Sequence, residues 1–364
     1  MTEKISLKQL CFIIFVTFSV SKFYIMPAVV AGASAESSPL AVLLNFIIDF
    51  LLLIIVITII KRSKSKGFYE LLCTLFGKVG ATIIYFIYGL YFFSKALIPI
   101  LEQKNSINLT FYESQPTLLT FMPFYLVAFY IILKGFTSFS RSVEITFWLF
   151  VLGLIITFSL SIPSGKYQRL LPLYTTGEKL LSGTHSALIW FGDPVILLFL
   201  YEFVENKKGL FKKTAISFTA SAVTTVLLIV VFYAVFGTIA ERQYFAPLKM
   251  SKYSITLSNI GRLDYMGALL FSLVSVFSLT LPLMISSLCF TKIFSFKKQF
   301  VIPLVICVAQ GVLSYFFQNE LFPLAEFFTS YVWVFYSVLC YLIPLVILIA
   351  TLIKTRPIRQ LKGA

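Results

Sequence analysis

Two charged residues lie inside apolar stretches that each also carry a proline. Lys22 falls in "SVSKFYIMPAVVAGAS", five residues before Pro27, and Asp193 falls in "SALIWFGDPVILLFLYEF", between Gly192 and Pro194. Lysine in apolar surroundings can bind a substrate carboxylate. Aspartate there can hold a substrate ammonium, or act as a buried acid that carries a proton. Both also have structural readings. Lys22 can form an interhelical ion pair with Asp193 or with Asp49, and Asp193 followed by Pro194 is a good N-terminal signal for a half-helix. Lys22 lies about 15 residues, roughly 22 Å at helical rise, from the start of its stretch, too far to reach water easily. Asp49 sits in the middle of a third apolar stretch and is a candidate for ion or proton coupling alongside Asp193, with a structural-partner role also open.

An aromatic precedes each proline by three residues, Tyr24 before Pro27 and Phe191 before Pro194, and apolar residues follow both directly. The candidate ligand-binding set is therefore Lys22, Tyr24, Met26 and Pro27 at the first interruption and Phe191, Gly192, Asp193 and Pro194 at the second. Tyr88, from the series Tyr85, Tyr88 and Tyr91, is a candidate cavity wall. Ser275 and Ser278 are candidate polar contacts, although serines also serve helix packing. Lys95 is expected to reach the nearby membrane surface along its alkyl stem, Glu144 and Glu202 to be solvated, and His185 to be a plain interface residue.

The elements that must position these groups follow from composition. Hydrophobic residues make up 59% of the chain and charged residues only 12%, with 40 Phe and 19 Tyr; mean hydropathy is +0.93. Soluble domains carry about twice that charge, so this is a polytopic membrane protein. Taking roughly 20 apolar residues per crossing, the chain divides into ten spans, at about 7–33, 38–60, 79–101, 116–134, 142–162, 184–204, 214–239, 264–290, 299–317 and 327–352. The amphipathic piece "GFYELLCTLFGK" (67–78) is expected at the interface. No cleavable signal is evident, since the first apolar stretch outruns a signal h-region.

Of the 30 Lys and Arg residues, twenty fall in the loops on the N-terminal side, eight in the opposite loops, and Lys22 and Lys95 within spans. That asymmetry predicts cytoplasmic termini. It also accounts for the net charge of +15 through proximity to anionic lipid rather than nucleic acid. The five cysteines lack metal-ligand spacing and there is one histidine, so neither a metal nor another cofactor is expected. No phosphate loop, catalytic carboxylate pair or nucleophile–base spacing appears, and an enzyme is not expected.

Proline removes a backbone donor and clashes one turn back, so spans one and six should both be interrupted, near 23–27 and 190–194. In a ten-span chain these are the first helices of two five-helix halves. Interruptions at matched positions point to a binding site in inverted-repeat transporters, because unpaired backbone at membrane depth is tolerated where it lines a cavity.

The chain resembles the spore-germination permeases, the integral-membrane B subunit of GerA-type germinant receptors, within the amino acid–polyamine–organocation (APC) superfamily. The resemblance covers almost the whole chain. It rests on "ISLKQL" before span one, "RLLPLYTTGEKLL" before span six, the "FG" and acidic residue of "WFGDP", "NIGRLDYMGALLFSLVSVF" into span eight, and the basic C-terminal tail. It implies an all-α, ten-helix, five-plus-five inverted-repeat fold of the APC/LeuT type with helices one and six broken. One transmembrane domain would span 1–364, with repeats at about 7–162 and 184–352. It further implies a spore inner-membrane subunit that binds a small germinant such as an amino acid and triggers germination. Its partners would be a large soluble-domain membrane subunit and a lipoprotein. The alternative is a proton-coupled secondary transporter of amino acids or related amines. Where the superfamily has small residues at the first break, this chain places Lys22.

Overall fold

The computed structural model describes residues 4–63, 67–110, 116–253, 263–294 and 300–354. Helix accounts for nearly all of them. In chain order the helices are α1 (Leu7–Val20), α2 (Met26–Ser34), α3 (Ser38–Arg62), α4 (Phe68–Lys95), α5 (Leu97–Thr110), α6 (Thr117–Lys134), α7 (Phe136–Ser161), α8 (Gly177–Ala187), α9 (Leu197–Leu200), α10 (Leu210–Phe236), α11 (Ala246–Lys252), α12 (Leu263–Ile293), α13 (Val301–Phe316), α14 (Leu321–Phe327), α15 (Trp333–Ser337) and α16 (Ile343–Lys354). Among the described residues, seven helical stretches are long and apolar enough to cross a membrane. Three shorter apolar helices, Leu7–Val20, Leu119–Lys134 and Val301–Phe316, lie within other expected spans.

The first interruption falls where proline chemistry puts it, two residues earlier than expected. α1 ends at Val20, residues 21–25 are turn and bend, and α2 begins at Met26 with Pro27 in its first turn. Pro27 starts the second half-helix, where its missing N–H costs nothing. The second interruption lies at residues 191–192, between the 3₁₀ turns Leu188–Trp190 and Asp193–Ile196. Gly192 sits there at φ +82°, a region that side-chain-bearing residues avoid.

Both interrupted elements are tied together at one end. Ser6 caps α1, accepting from the Gln9 amide while the Gln9 side chain accepts from the Ser6 amide, a capping box. The preceding residue, Ile5, donates to the Phe203 carbonyl at 2.8 Å and accepts from Glu205 at 3.1 Å. The "ISLKQL" stretch thus clips the start of α1 to the end of the 177–203 element. α1 then packs between α10, α7 and α12, while α3 packs against α10, α8 and α16. Val79, Ile145, Trp148, Phe316 and Tyr331 stand exposed on the outside, an apolar surface suited to lipid.

Some sequence expectations need correction. Span three does not end near 101 with Lys104 in a loop. The chain turns only at Ala96 and continues as α5 to Thr110. Lys104 is buried because its ammonium donates to the Gln318 carbonyl and to Asn319 Oδ1 at 2.9 and 3.1 Å. The 67–78 piece, expected at the interface, needs no such correction: it is helical and set off from the rest of α4 by a kink at Gly77 (φ +75°). The last span contains two π-helical turns, Phe328–Val332 and Val338–Leu342, which no local sequence signal announces. The "NIGR" start of the span-eight motif and the basic C-terminal tail lie outside the described residues.

Candidate functional site

The Lys22 side chain is 1% exposed, and neither end of α1 offers it water. Its ammonium donates to the Phe18 carbonyl, left free by the end of α1, at 3.0 Å, and to Asp193 Oδ2. The rings of Phe191, Phe46 and Phe18 surround it at 4.9, 5.8 and 5.9 Å, adding cation–π attraction. The two helix interruptions therefore meet through an ion pair.

Asp193 holds a second cation. Lys95 Nζ donates to Asp193 Oδ1 at 2.8 Å, to the Phe191 carbonyl at 3.2 Å and to Tyr91 Oη at 3.3 Å. All three ammonium protons are engaged. This corrects the expectation that Lys95 extends to the membrane surface, for its side chain is only 11% exposed. The freed Phe191 carbonyl and the Asp193 carboxylate together offer more than the interface does. The carboxylate of Asp193 also does not cap the half-helix behind it; the two lysines take it instead.

Asp49, on α3, satisfies the other freed group. Both of its carboxylate oxygens accept from the Gly192 amide at 3.0 Å, and Oδ1 accepts from the Tyr341 hydroxyl at 2.8 Å. Two lysines and two aspartates thus form one cluster whose formal charges sum to zero. The second π turn brings Cys340 and Tyr341 to it. Cys340 Sγ lies 3.0 Å from Tyr91 Oη, and a Cβ on Gly192 would come within 2.7 Å of the Cys340 Cβ.

A cavity of about 40 Å³ opens beside the cluster, its lining including Ser21, Lys95, Trp190, Asp193, Ser278 and Tyr336. At about 10–15 Å³ per water it holds a few waters, so a metabolite enters only if side chains or half-helices move. The Trp190 indole N–H is buried without an acceptor among the described residues. It gives the cavity wall an unused donor.

Of the residues expected at the site, Lys22, Phe191, Gly192, Asp193 and Asp49 come together, and Asp193 and Ser278 line the cavity. Met26 and Pro27 are buried in the first turn of α2, and Pro194 in the 3₁₀ turn after Asp193. Tyr88 is wholly buried and donates to the Leu339 carbonyl at 2.9 Å. Ser275 donates to the Ser272 carbonyl within α12, and Tyr24 lies beside Gln103 and Ser275. His185 packs edge-on to Trp333 at 4.6 Å, and Glu144 pairs with Lys8 at 3.1 Å. Sequence reasoning missed Trp190, Tyr336, Cys340 and Tyr341. Of the three from the last span, Tyr336 and Cys340 are one ordinary helical turn apart, and the π turn adds Tyr341 to their face.

The cluster sets an order of mutational cost. Asp193→Asn leaves two buried ammoniums without their shared acid, whereas Lys22→Met or Lys95→Met leaves the acid one cation. Breaking a buried pair costs about 3–5 kcal/mol, so Asp193→Asn should lower the unfolding midpoint in detergent most. Lys22→Met/Asp193→Asn should cost less than the sum of its singles by more than about 0.5 kcal/mol; additivity would mean the residues act independently. Gly192→Ala should destabilise by about 1–3 kcal/mol through its backbone angle and the Cys340 clash. Adding Cys340→Gly should recover the steric part only.

In overall architecture the chain is similar to Mhp1, a nucleobase-cation-symport-1 family transporter solved in a closed conformation with bromovinylhydantoin bound. The likeness has a TM-score of 0.57 and 15% identity, and covers 97% of this chain and 90% of that one. No curated protein matches it in sequence. The family described as "Spore germination protein" matches residues 4–322. With that match spanning most of a transporter-like membrane chain, the protein belongs to the spore germination permease family.

Proposed function

We propose that this protein is the membrane subunit of a nutrient-germinant receptor of the spore inner membrane. It binds a small amino-acid-like germinant in the cavity beside Asp193 and converts binding into the germination signal. It does so with a large soluble-domain membrane subunit and a lipoprotein. The observation that carries this reading is the position of the cluster. One carboxylate, held by lysines from two elements, joins both helix interruptions and lines the cavity. A ligand that competes for Lys95 or Asp193 loosens the link between the half-helices, and so has different affinities for the linked and separated arrangements. That difference is what a ligand-driven switch requires.

The architecture in this reading is a ten-helix, five-plus-five inverted repeat with helices one and six broken, and with both termini cytoplasmic. The likeness to a transporter over nearly the whole chain supports a second reading, a proton-coupled secondary transporter of amino acids or related amines. In that case the same cavity empties on the opposite side, with Asp193 or Asp49 as coupling groups.

A thermal-shift screen of the purified protein against amino acids, sugars and nucleosides tests both readings. A germinant present at 100 times its Kd stabilises the folded chain by about 2.7 kcal/mol, and Lys95→Met should abolish the shift. A panel that stabilises nothing, or a shift that survives Lys95→Met and Asp193→Asn, would sink the assignment of this cavity. Uptake of the stabilising ligand into proteoliposomes would favour the transporter; binding without uptake favours the receptor. A cytoplasm-only fluorescent reporter on the C-terminus should light up. A dark, well-expressed fusion with an active outside-only reporter would reverse the topology.

A further inference from the structure

A second group of buried polar side chains lies at the first interruption. Tyr24, Glu102 and Gln103 meet there, exposed by 3%, 2% and 1%. The Ile25 amide, released by the end of α1, points to Glu102 Oε1 at 3.4 Å. Tyr24 Oη and both polar atoms of the Gln103 side chain have no hydrogen-bond partner among the described residues. The Tyr24 phenol lies beside Gln103 and Ser275 and within electrostatic reach of Glu102.

Glu102 has no cation. Among the described residues it enters no ion pair. On its own helix Lys104 is turned to Gln318 and Asn319. On α4, Lys95 is committed to Asp193, Phe191 and Tyr91. On α6, Tyr125 is bonded to Ser314 of α13, and on α14 Glu326 is exposed. The described α12 neighbour is Ser275. Among these groups, the titratable one that Glu102 faces is the Tyr24 phenol. The contrast with the other two buried acids is plain: Asp193 holds two lysines, and Asp49 an amide and a phenol. A lone carboxylate here is costly, with one long amide contact and no cation to offset it among the described residues, whereas a neutral carboxylic acid buries no charge.

We propose that Glu102 is a proton-binding site, occupied in this closed conformation and emptied when the cover over the first interruption lifts. That cover is the stretch leading into α11. The Phe245 and Ala246 amides donate to the Tyr24 carbonyl at 3.0 and 3.2 Å, and the Phe245 ring sits edge-on to Tyr24 at 6.4 Å. Parting those bonds admits water to Tyr24, Gln103 and Glu102, and the solvated carboxyl then releases its proton. The closed form binds the proton more tightly, so it is favoured at low pH and lost as pH rises. One linked proton changes the closed-to-open ratio by at most about tenfold per pH unit. This site goes beyond the ligand cavity, and its test involves no germinant.

The test uses the full chain in lipid nanodiscs. Infrared difference spectra of wild type against Glu102→Gln should show loss of one protonated-carboxyl band. Hydrogen exchange at Phe245 and Ala246, corrected for intrinsic rate, should lose protection as pH rises in the wild type, by up to about tenfold per unit, and stay pH-flat in Glu102→Gln. Because the amide mimics a neutral acid, that variant should keep a near-wild-type unfolding midpoint. An unchanged carboxyl band, equal pH slopes in the two proteins, or a Glu102→Gln chain that fails to fold would each overturn the proposal.

Discussion

Every polar group freed inside this apolar bundle has to find its partner in the protein, because lipid offers none. Interrupting a helix releases carbonyls before the break and amides after it. Here the carbonyls go to lysines and the amides to acidic side chains. Phe18 and Phe191 carbonyls accept from Lys22 and Lys95, while Gly192 and Ile25 amides point to Asp49 and Glu102. The charges and the breaks solve one another's problem. A lysine that would be expensive alone becomes the terminator of a half-helix, and an interruption that would be expensive alone becomes a seat for a charge.

The same rule runs to the edges of the molecule. Arg169 donates to the Ala234 and Val235 carbonyls at the end of α10 at 3.3 and 2.5 Å. Lys104 closes the turn after α13, and Lys354 reaches the Thr74 and Leu75 carbonyls before the Gly77 kink. These cations all sit at the negative ends of helices or at kinks, where dipole and hydrogen bond act together. The central lysines differ in one respect: their anionic partner is shared. Because Asp193 is held by lysines from two different elements, any motion that separates them must find new partners for a buried charge. Separating them therefore costs a buried charge its partner.

Much of this was legible in the sequence. Twenty-residue apolar runs required membrane spans because their length matches a bilayer. Pro27 and the Gly192–Asp193–Pro194 run required interruptions because proline lacks a donor and clashes with the preceding turn. Lys22 and Asp193 were conspicuous because a charge in such a run cannot be indifferent to its surroundings. Each inference rests on short-range chemistry, so each survived folding.

What the sequence left open were the partners. Lys22 had Asp193 and Asp49 as candidates, and packing assigned it Asp193 while turning Asp49 to the Gly192 amide. Lys95 looked close enough to water to escape, but the turn at Ala96 and the freed Phe191 carbonyl held it inside. Tyr341 joined the site through a π turn, a shift of helical phase that local propensity does not signal. Glu102 went unnoticed in the sequence, and it became a buried acid because α5 continues past it and the first interruption lies against it. Residue type and spacing determined where the chain must break and carry charge. Tertiary structure alone decided which charge meets which break, because those distances are set by how helices far apart in sequence pack against one another.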